Sequence, residues 1–450
     1  MRIRPAVGMV LALAWLLPGA AQGAGSSVKE TIRQLRAPDP AIRSQAAQAV
    51  GKAAMWQLSG LDEEDMAALA AALKDGDAPV RLAVSQAFVL LTHTAQGKAF
   101  SRPALAALIA ALHDPESGVA SGAAIALGHI RDPSARRPLI DAMGDARSPV
   151  ASAAGAALGH FIDPSSAGEL IPVLRHEQAR RSVLGMLRRF PGEASIPVLV
   201  KALEDQDREL RRGAAFVLEE LANAQAEAAL LRALKDEDGQ VRASAARALG
   251  RLGDRAASGP VIGLLQDPDP GVRKAAASAL SSVGGPEAVE PLIARLSDAD
   301  VRWEAVTALA RIGDDRAVKP VIALLGNDEM GESLFHVVGH WQGNRALVRG
   351  LIEALASPDE RVSRRAAQSL IVDNGKVWVL GQEAVGPLLP LLKSRQVEVR
   401  RAASFTLRTL GDGRFLDQKA RGPLSEASRD EDLQVQQNVA KALELLRITP

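Results

Sequence analysis

The sequence predicts an all-α protein, an array of about thirteen stacked helix pairs, on three observations. A pattern of about 30 residues recurs along most of the 450-residue chain. Within each copy, apolar and small residues return at the spacing of one helical face. Aromatic residues make up only 3% of the chain, with no Tyr. The core must therefore come from Ala, Leu, Val and Ile, which suits closely stacked helices better than a sandwich or barrel.

Asp236 to Leu265 shows the pattern plainly: an Asp, then Val241-Arg242, a run of small residues to Leu249-Gly250, Gly253-Asp254, and Pro260 within a second apolar run. Asp267 to Leu296 and Asp298 to Leu325 repeat it. In the first of these, Val272, Ala275, Ala276, Ala279, Leu280 and Val283 follow the i, i+3, i+4, i+7 rhythm of a helix with one buried face. Gly284-Gly285 stops that helix and Pro286 follows, where a missing amide donor does no harm. A second helix is expected around Glu290 to Leu296, starting near Pro291 and ending before Asp298. Neither helix buries its stripe alone, so copies must stack.

Taken in order, the chain opens with a leader. Residues 1–24 place Arg2 and Arg4 before an apolar run from Ala6 to Leu17, then Pro18-Gly19 and small residues near Ala21 to Ala24. This is the layout of a secretory signal peptide. The apolar run is short of the ~20 residues of a membrane span, so the expectation is a cleaved leader, with an uncleaved anchor as the alternative. The mature chain, 25–450, is then expected to be exported, periplasmic in a double-membrane bacterium or otherwise secreted, with no stable membrane insertion. Repeat copies follow at Ala41 to Gly51, Asp75 to Leu91, Asp114 to Met143 and Asp145 to Leu174. His176 to Leu203 loses the Val-Arg pair, and Asp205 to Leu234 restores it as Leu210-Arg211. After the regular trio, Asn327 to Leu355 is degenerate, Ser357 to Leu392 carries an insertion, and Ser394 to Leu424 and Asp430 to Leu446 close the array.

Composition narrows the function. Of the 54 Lys and Arg, two lie in the leader, leaving 52 against 53 Asp and Glu. Nucleic-acid binders carry a basic excess or stripe because phosphate neutralisation dominates their affinity; here basic clusters such as Arg208, Arg211 and Arg212 sit among acidic residues, so no nucleic-acid partner is expected. The absence of Cys removes disulfides, thiolate metal sites and cysteine nucleophiles.

These residues carry a resemblance. The spaced Asp, Val-Arg, Ala-Ala, Ala-Leu-Gly and Pro-(Val/Leu)-Ile positions resemble HEAT repeats, particularly the PBS-lyase HEAT-like type of armadillo-like solenoid, over roughly residues 30 to 446. The resemblance implies a right-handed α-solenoid whose second helices line a concave surface. It also implies a ladder between neighbouring copies, mapped here onto Asp205, Asp236 and Asp267 with Arg211, Arg242 and Arg273. Arg302 keeps the ladder at a shortened spacing, and Ala120 and Ala151 break it, where curvature is expected to differ.

Candidate sites are sought where copies vary. The position after Leu-Gly forms a column: His129, His160, Arg189, Glu220, Arg251, Ser282, Arg311, His340, Val372 and Thr409. One reading is a polar track for an anionic partner; the other is basic side chains serving the carbonyls and dipole at helix C-termini. Copy spacing widens to 38 and 39 residues near the start and 37 and 36 near the end. These insertions, near residues 51–66, 92–104, 373–386 and 411–424, carry Trp56, Phe100, Trp378 and Phe415. They read either as aromatic anchors for a partner or as plugs where longer connections cross the core. Trp303, beside the Val-Arg pair, is placed to stack on an Arg. Glu332, His336 and His340 share one side of a helix but lack HExxH, and relatives that are iron hydroxylases use repeated His-Glu pairs where this chain has one, His176-Glu177. No metal site, cofactor or catalytic residue is expected. The chain reads as a non-catalytic exported scaffold that binds a protein partner or assembles a complex. A lyase- or hydroxylase-type enzyme, or an enzyme-assembly factor, is the alternative.

Overall fold

The computed structural model describes residues 28–53, 62–93, 102–159, 161–327, 329, 330, 334, 344–372 and 379–448. Every regular element among them is a helix. The chain divides into two compact units, Met1–Met186 and Leu187–Pro450, and each alternates a long first helix with a short second one.

The copy at Gly239–Leu252 shows how the sequence makes this unit. Asp238 opens the first helix by accepting hydrogen bonds from the Gln240 and Val241 amides, two donors that have no partner within the helix. Val241, Ala245, Ala248 and Leu249 are fully buried. The helix ends at Gly253, whose φ of 74° is left-handed. Asp254 then accepts from the Ala256 amide and starts the second segment, a 3-10 turn at Arg255–Ala257 that runs into the helix Ser258–Gly263.

Successive first helices touch at backbone level. A Cβ on Gly250 would lie 2.7 Å from the Ala279 Cα, and one on Gly128 would lie 2.8 Å from the Ala157 Cα. The glycine of Leu-Gly is thus a contact point inside the helix, which continues two residues past it.

The second helix starts earlier than Pro291. The 3-10 turn Pro286–Ala288 leads into Val289–Ala294, so Pro286 opens the segment and Pro291 sits in the first α-helical turn, where no amide donor is needed. Among the insertions, residues 54–61, 94–101 and 373–378 lie outside the described residues. The fourth lengthens a first helix to Val397–Asp412 before the turn into Gln418–Ala420.

The ladder fixes the spacing between copies. Arg242 donates from Nη1 to the Asp236 and Glu237 carbonyls of its own copy, and from Nε and Nη2 to Asp267 of the next, at 2.7 and 2.8 Å. Arg211 repeats this with Asp205, Gln206 and Asp236, Arg273 with Asp267, Pro268 and Asp298, and Arg400 with Ser394, Arg395 and Asp430. Arg43 and Arg81 do the same in the first unit with Asp75 and Asp114.

At Ala120 and Ala151 the ladder is rerouted. Arg147, from the next turn, reaches back to the Asp114 and Pro115 carbonyls and pairs with Asp145, while Gln178 reaches back to the Gly144 and Asp145 carbonyls. The copy at His176 keeps its arginine too. Arg180 donates to the Leu174 carbonyl six residues earlier, the offset every ladder arginine uses, with Ala179 in place of Val.

Candidate functional site

In the column after Leu-Gly, His129, Arg251 and Arg311 lie in the last turns of their first helices. Arg251 is exposed and donates from Nη1 to the Glu219 carbonyl of the preceding first helix, 3.1 Å, while pairing with Glu220 at 2.9 Å. It serves the C-terminus of its neighbour's helix, not its own. Beside it Arg247 forks onto Glu219 at 2.7 and 2.9 Å, and Arg188 pairs with Glu220 at 2.9 Å. Glu219 is buried, with a side chain only 9% exposed. Sequence reading passed it over, although a signal was present: Glu219 stands where other copies carry the close-contact glycine, and a carboxylate there needs a cation from the next helix.

The other column members differ among themselves. Arg311 is exposed and has no ion pair among the described residues. His129 is half-buried, with Nδ1 3.1 Å from the buried Thr92 hydroxyl and its ring edge-on to His93. Thr409 is buried, so the column is not one continuous exposed track. His160 and His340 lie outside the described residues, as do Trp56, Phe100 and Trp378, and also Glu332 and His336.

Phe415 is half-buried. Its ring packs against the left-handed turn at Gly381, close enough that a Cβ there would meet it at 3.2 Å, and against Gly413. Trp303 is 42% exposed, and among the described residues no guanidinium lies over its ring; the cation–π contact seen is Arg408 over Phe405 at 5.0 Å.

A similar groove is found in each compact unit, between consecutive second helices. In Leu187–Pro450 it has a volume of about 450 Å³, a floor of Leu203, Ala229 and Ala233, and rims that include Glu204, Arg232 and Glu237. In Met1–Met186 it has about 300 Å³, a floor of Leu35, Ala67, Ala68 and Ala71, and Arg36, Glu64 and Asp75 on its rims. Alanines on the helix faces leave the floor flat and open. Across the larger groove Arg232 pairs with Glu204 at 2.7 Å. Both are more than half exposed, so the pair is worth no more than about 1 kcal/mol and opens readily.

The fixed charges nearby are of another kind. The Arg43 guanidinium, together with the Asp77 amide, holds the Asp75 carboxylate below its ordinary range. For Asp267, burial acts to raise the pKa, but the bonds from Arg242 and the Asp269 amide outweigh it and the net direction is down. Asp238 behaves likewise through Arg212 and the Val241 amide. These carboxylates stay ionised and engaged, which suits a frame and not acid–base chemistry. Among the described residues no group of three or more His, Asp or Glu is placed to hold a metal ion.

Long-and-short helix pairs, stacked in register and tied by arginine–aspartate rungs, define an α-solenoid. The chain belongs to the HEAT-repeat family: the model for HEAT repeats matches residues 105–187, 196–260, 227–300 and 260–332. Among solved structures, 93% of the chain aligns with 61% of Kap121p in its crystal structure bound to Nup53p, at 12% identity and a TM-score of 0.53, a likeness of fold. Kap95p in a structure with RanGDP aligns over 94% of this chain and 67% of its own, at 14% identity and a TM-score of 0.45, and an engineered protein over 94% and 99%, at 20% and 0.23; neither score is high enough to bear on the fold. The chain thus spans less than two thirds of the Kap121p chain. No curated protein matches the sequence.

Proposed function

We propose that this chain is a non-catalytic scaffold that binds a segment of a protein partner along its second-helix grooves. The observation that carries the reading is the recurrence of a similar groove in both compact units, with an alanine floor, an exposed arginine and carboxylate rims. The rungs beside these grooves are satisfied within the chain, so the groove surface is preorganised and a partner meets little ordering cost. Structural likeness to Kap121p, which was solved bound to Nup53p, supports protein recognition by this architecture.

The leader at residues 1–24, which lies outside the described residues, further supports export, and no helix among the described residues is long and apolar enough to cross a membrane. We place the mature protein in the periplasm or outside the cell.

The test is capture from the envelope fraction with the wild type and with Glu204→Lys, an exposed rim change whose ion-pair partner is the exposed Arg232 and not a ladder arginine. A partner retained by the wild type and lost by the variant supports the reading. Equal capture by both, or bound iron or chromophore with turnover in the purified protein, overturns it in favour of a lyase- or hydroxylase-type enzyme.

A further inference from the structure

We infer that the cavity at the start of the helix Gly192–Ala202 binds a carboxylate carried on an apolar group the size of one residue, as in a short branched-chain acid or the last residue of a polypeptide. The cavity has a volume of about 260 Å³, lies within Leu187–Pro450 and shares no residue with either groove. Leu187, Phe190, Ile196 and Leu221 form its apolar wall, and Arg188, Gly192, Ser195 and Asn223 bring hydrogen-bond donors to it. That volume is below the ~300–1,000 Å³ of sites for larger ligands, which sets the size of the occupant.

A missing cap is the first argument. Asp132, Asp163, Asn223, Asp254, Asp314 and Asp417 open the second segments of their copies by accepting a hydrogen bond from the amide two residues on. Pro191 takes this place ahead of Gly192–Ala202, and no side chain caps that helix. Among the described residues the Gly192 and Glu193 amides have no acceptor. Unpaired amides and the helix dipole favour an anion there.

The second argument is Ser195. It is only 1% exposed, it lines the cavity, and its hydroxyl makes no hydrogen bond among the described residues, whereas a buried hydroxyl ordinarily has a partner. Ser258, at the matching position, donates to the Glu287 carboxylate of the next copy; Gln225 stands where Glu287 would be. Two carboxylates that other copies supply are therefore absent here, and the donors they would have engaged meet at one cavity through Gly192 and Ser195. Asn223 adds its Nδ2, 2.6 Å from where a Gly192 Cβ would stand, its Oδ1 being taken by the Gln225 amide. Glu220, the carboxylate on the wall, is already paired with Arg188 and Arg251, each at 2.9 Å. It therefore offers little repulsion to a second acid.

The test is a saturation-transfer NMR titration of isocaproate and of the peptide acetyl-Gly-Ala-Leu into the mature protein, each compared with its primary amide. The acids are expected to bind with a Kd of about 1 mM or tighter, and the amides not to bind. Equal affinity for the two acids assigns the site to a free acid, and a peptide at least about 10-fold tighter assigns it to a chain terminus. Ser195→Ala should weaken binding about 10-fold, the loss of one hydrogen bond to a charged group. Pro191→Asp should supply the cap from within the chain, raising the melting temperature while abolishing binding, a combination that a folding defect does not produce. Ser428→Ala, an exposed serine in the same unit, serves as the control, and circular dichroism establishes that each variant is folded. Absence of binding by both acids, equal binding of the amides, unchanged affinity in Ser195→Ala or Pro191→Asp, or an equal loss in Ser428→Ala overturns the site. None of these outcomes depends on the groove reading.

Discussion

Arg242 makes four hydrogen bonds, two to carbonyls of its own copy and two to the Asp267 carboxylate of the next. Arg242→Ala leaves a carboxylate that is only 7% exposed without its cation, and the expected loss is about 3 kcal/mol of unfolding free energy, read by urea titration. Rim pairs such as Arg232–Glu204 should each contribute less than about 1 kcal/mol. Acid should find the same residues. Asp75, Asp145, Asp238 and Asp267 all have folded pKa values below their unfolded ones. The stability they contribute is present above the unfolded carboxylate value of about 3.9 and is lost as pH falls through the lower folded values. The melting temperature should therefore be level above about pH 5 and fall steeply below about pH 4, with a shallower fall in Asp267→Asn.

The helix ends make predictions of opposite sign at matching positions. Gly253 and Ala222 both follow a first helix and both have positive φ, 74° and 45°. An L side chain in that region costs about 1–2 kcal/mol. Gly253→Ala should destabilise by about 1 kcal/mol, and Ala222→Gly should stabilise by up to about 1 kcal/mol once the greater freedom of unfolded glycine is offset; paired chemical denaturation checks both. Gly250→Ala tests a different cause. Its Cβ would press on the Ala279 backbone, so a loss of about 1–3 kcal/mol is expected from overpacking between consecutive first helices.

At the scale of the molecule, an array stabilised by nearest-neighbour contacts should respond locally to a cut rung. In Arg242→Ala, amide hydrogen exchange should quicken in Gly239–Leu252 and Pro270–Val283 and stay unchanged in Pro40–Ala53. Uniform acceleration along the whole chain would instead mean that the array opens as one cooperative body. Amino-terminal sequencing of the protein purified from its native cells checks the proposed leader, with a new terminus expected near Ala24.

Sequence by itself determined the helix pairs, their order and most rungs, because a core of Ala, Leu and Val read at helical spacing has few other ways to bury itself, and because Asp, Arg and Gly recur at fixed offsets. Tertiary structure alone decided the rest. At Ala120 and Ala151 the residue that fills the gap, Arg147 or Gln178, belongs to the following turn, an exchange that spacing within one copy does not reveal. Arg251 and Arg311 occupy matching positions in the sequence, yet Arg251 is tied to Glu219 and Glu220 because those acids happen to lie on the helix before it. The grooves and the His93–His129 pair exist only where separate copies meet, since residues about 30 apart become neighbours through stacking.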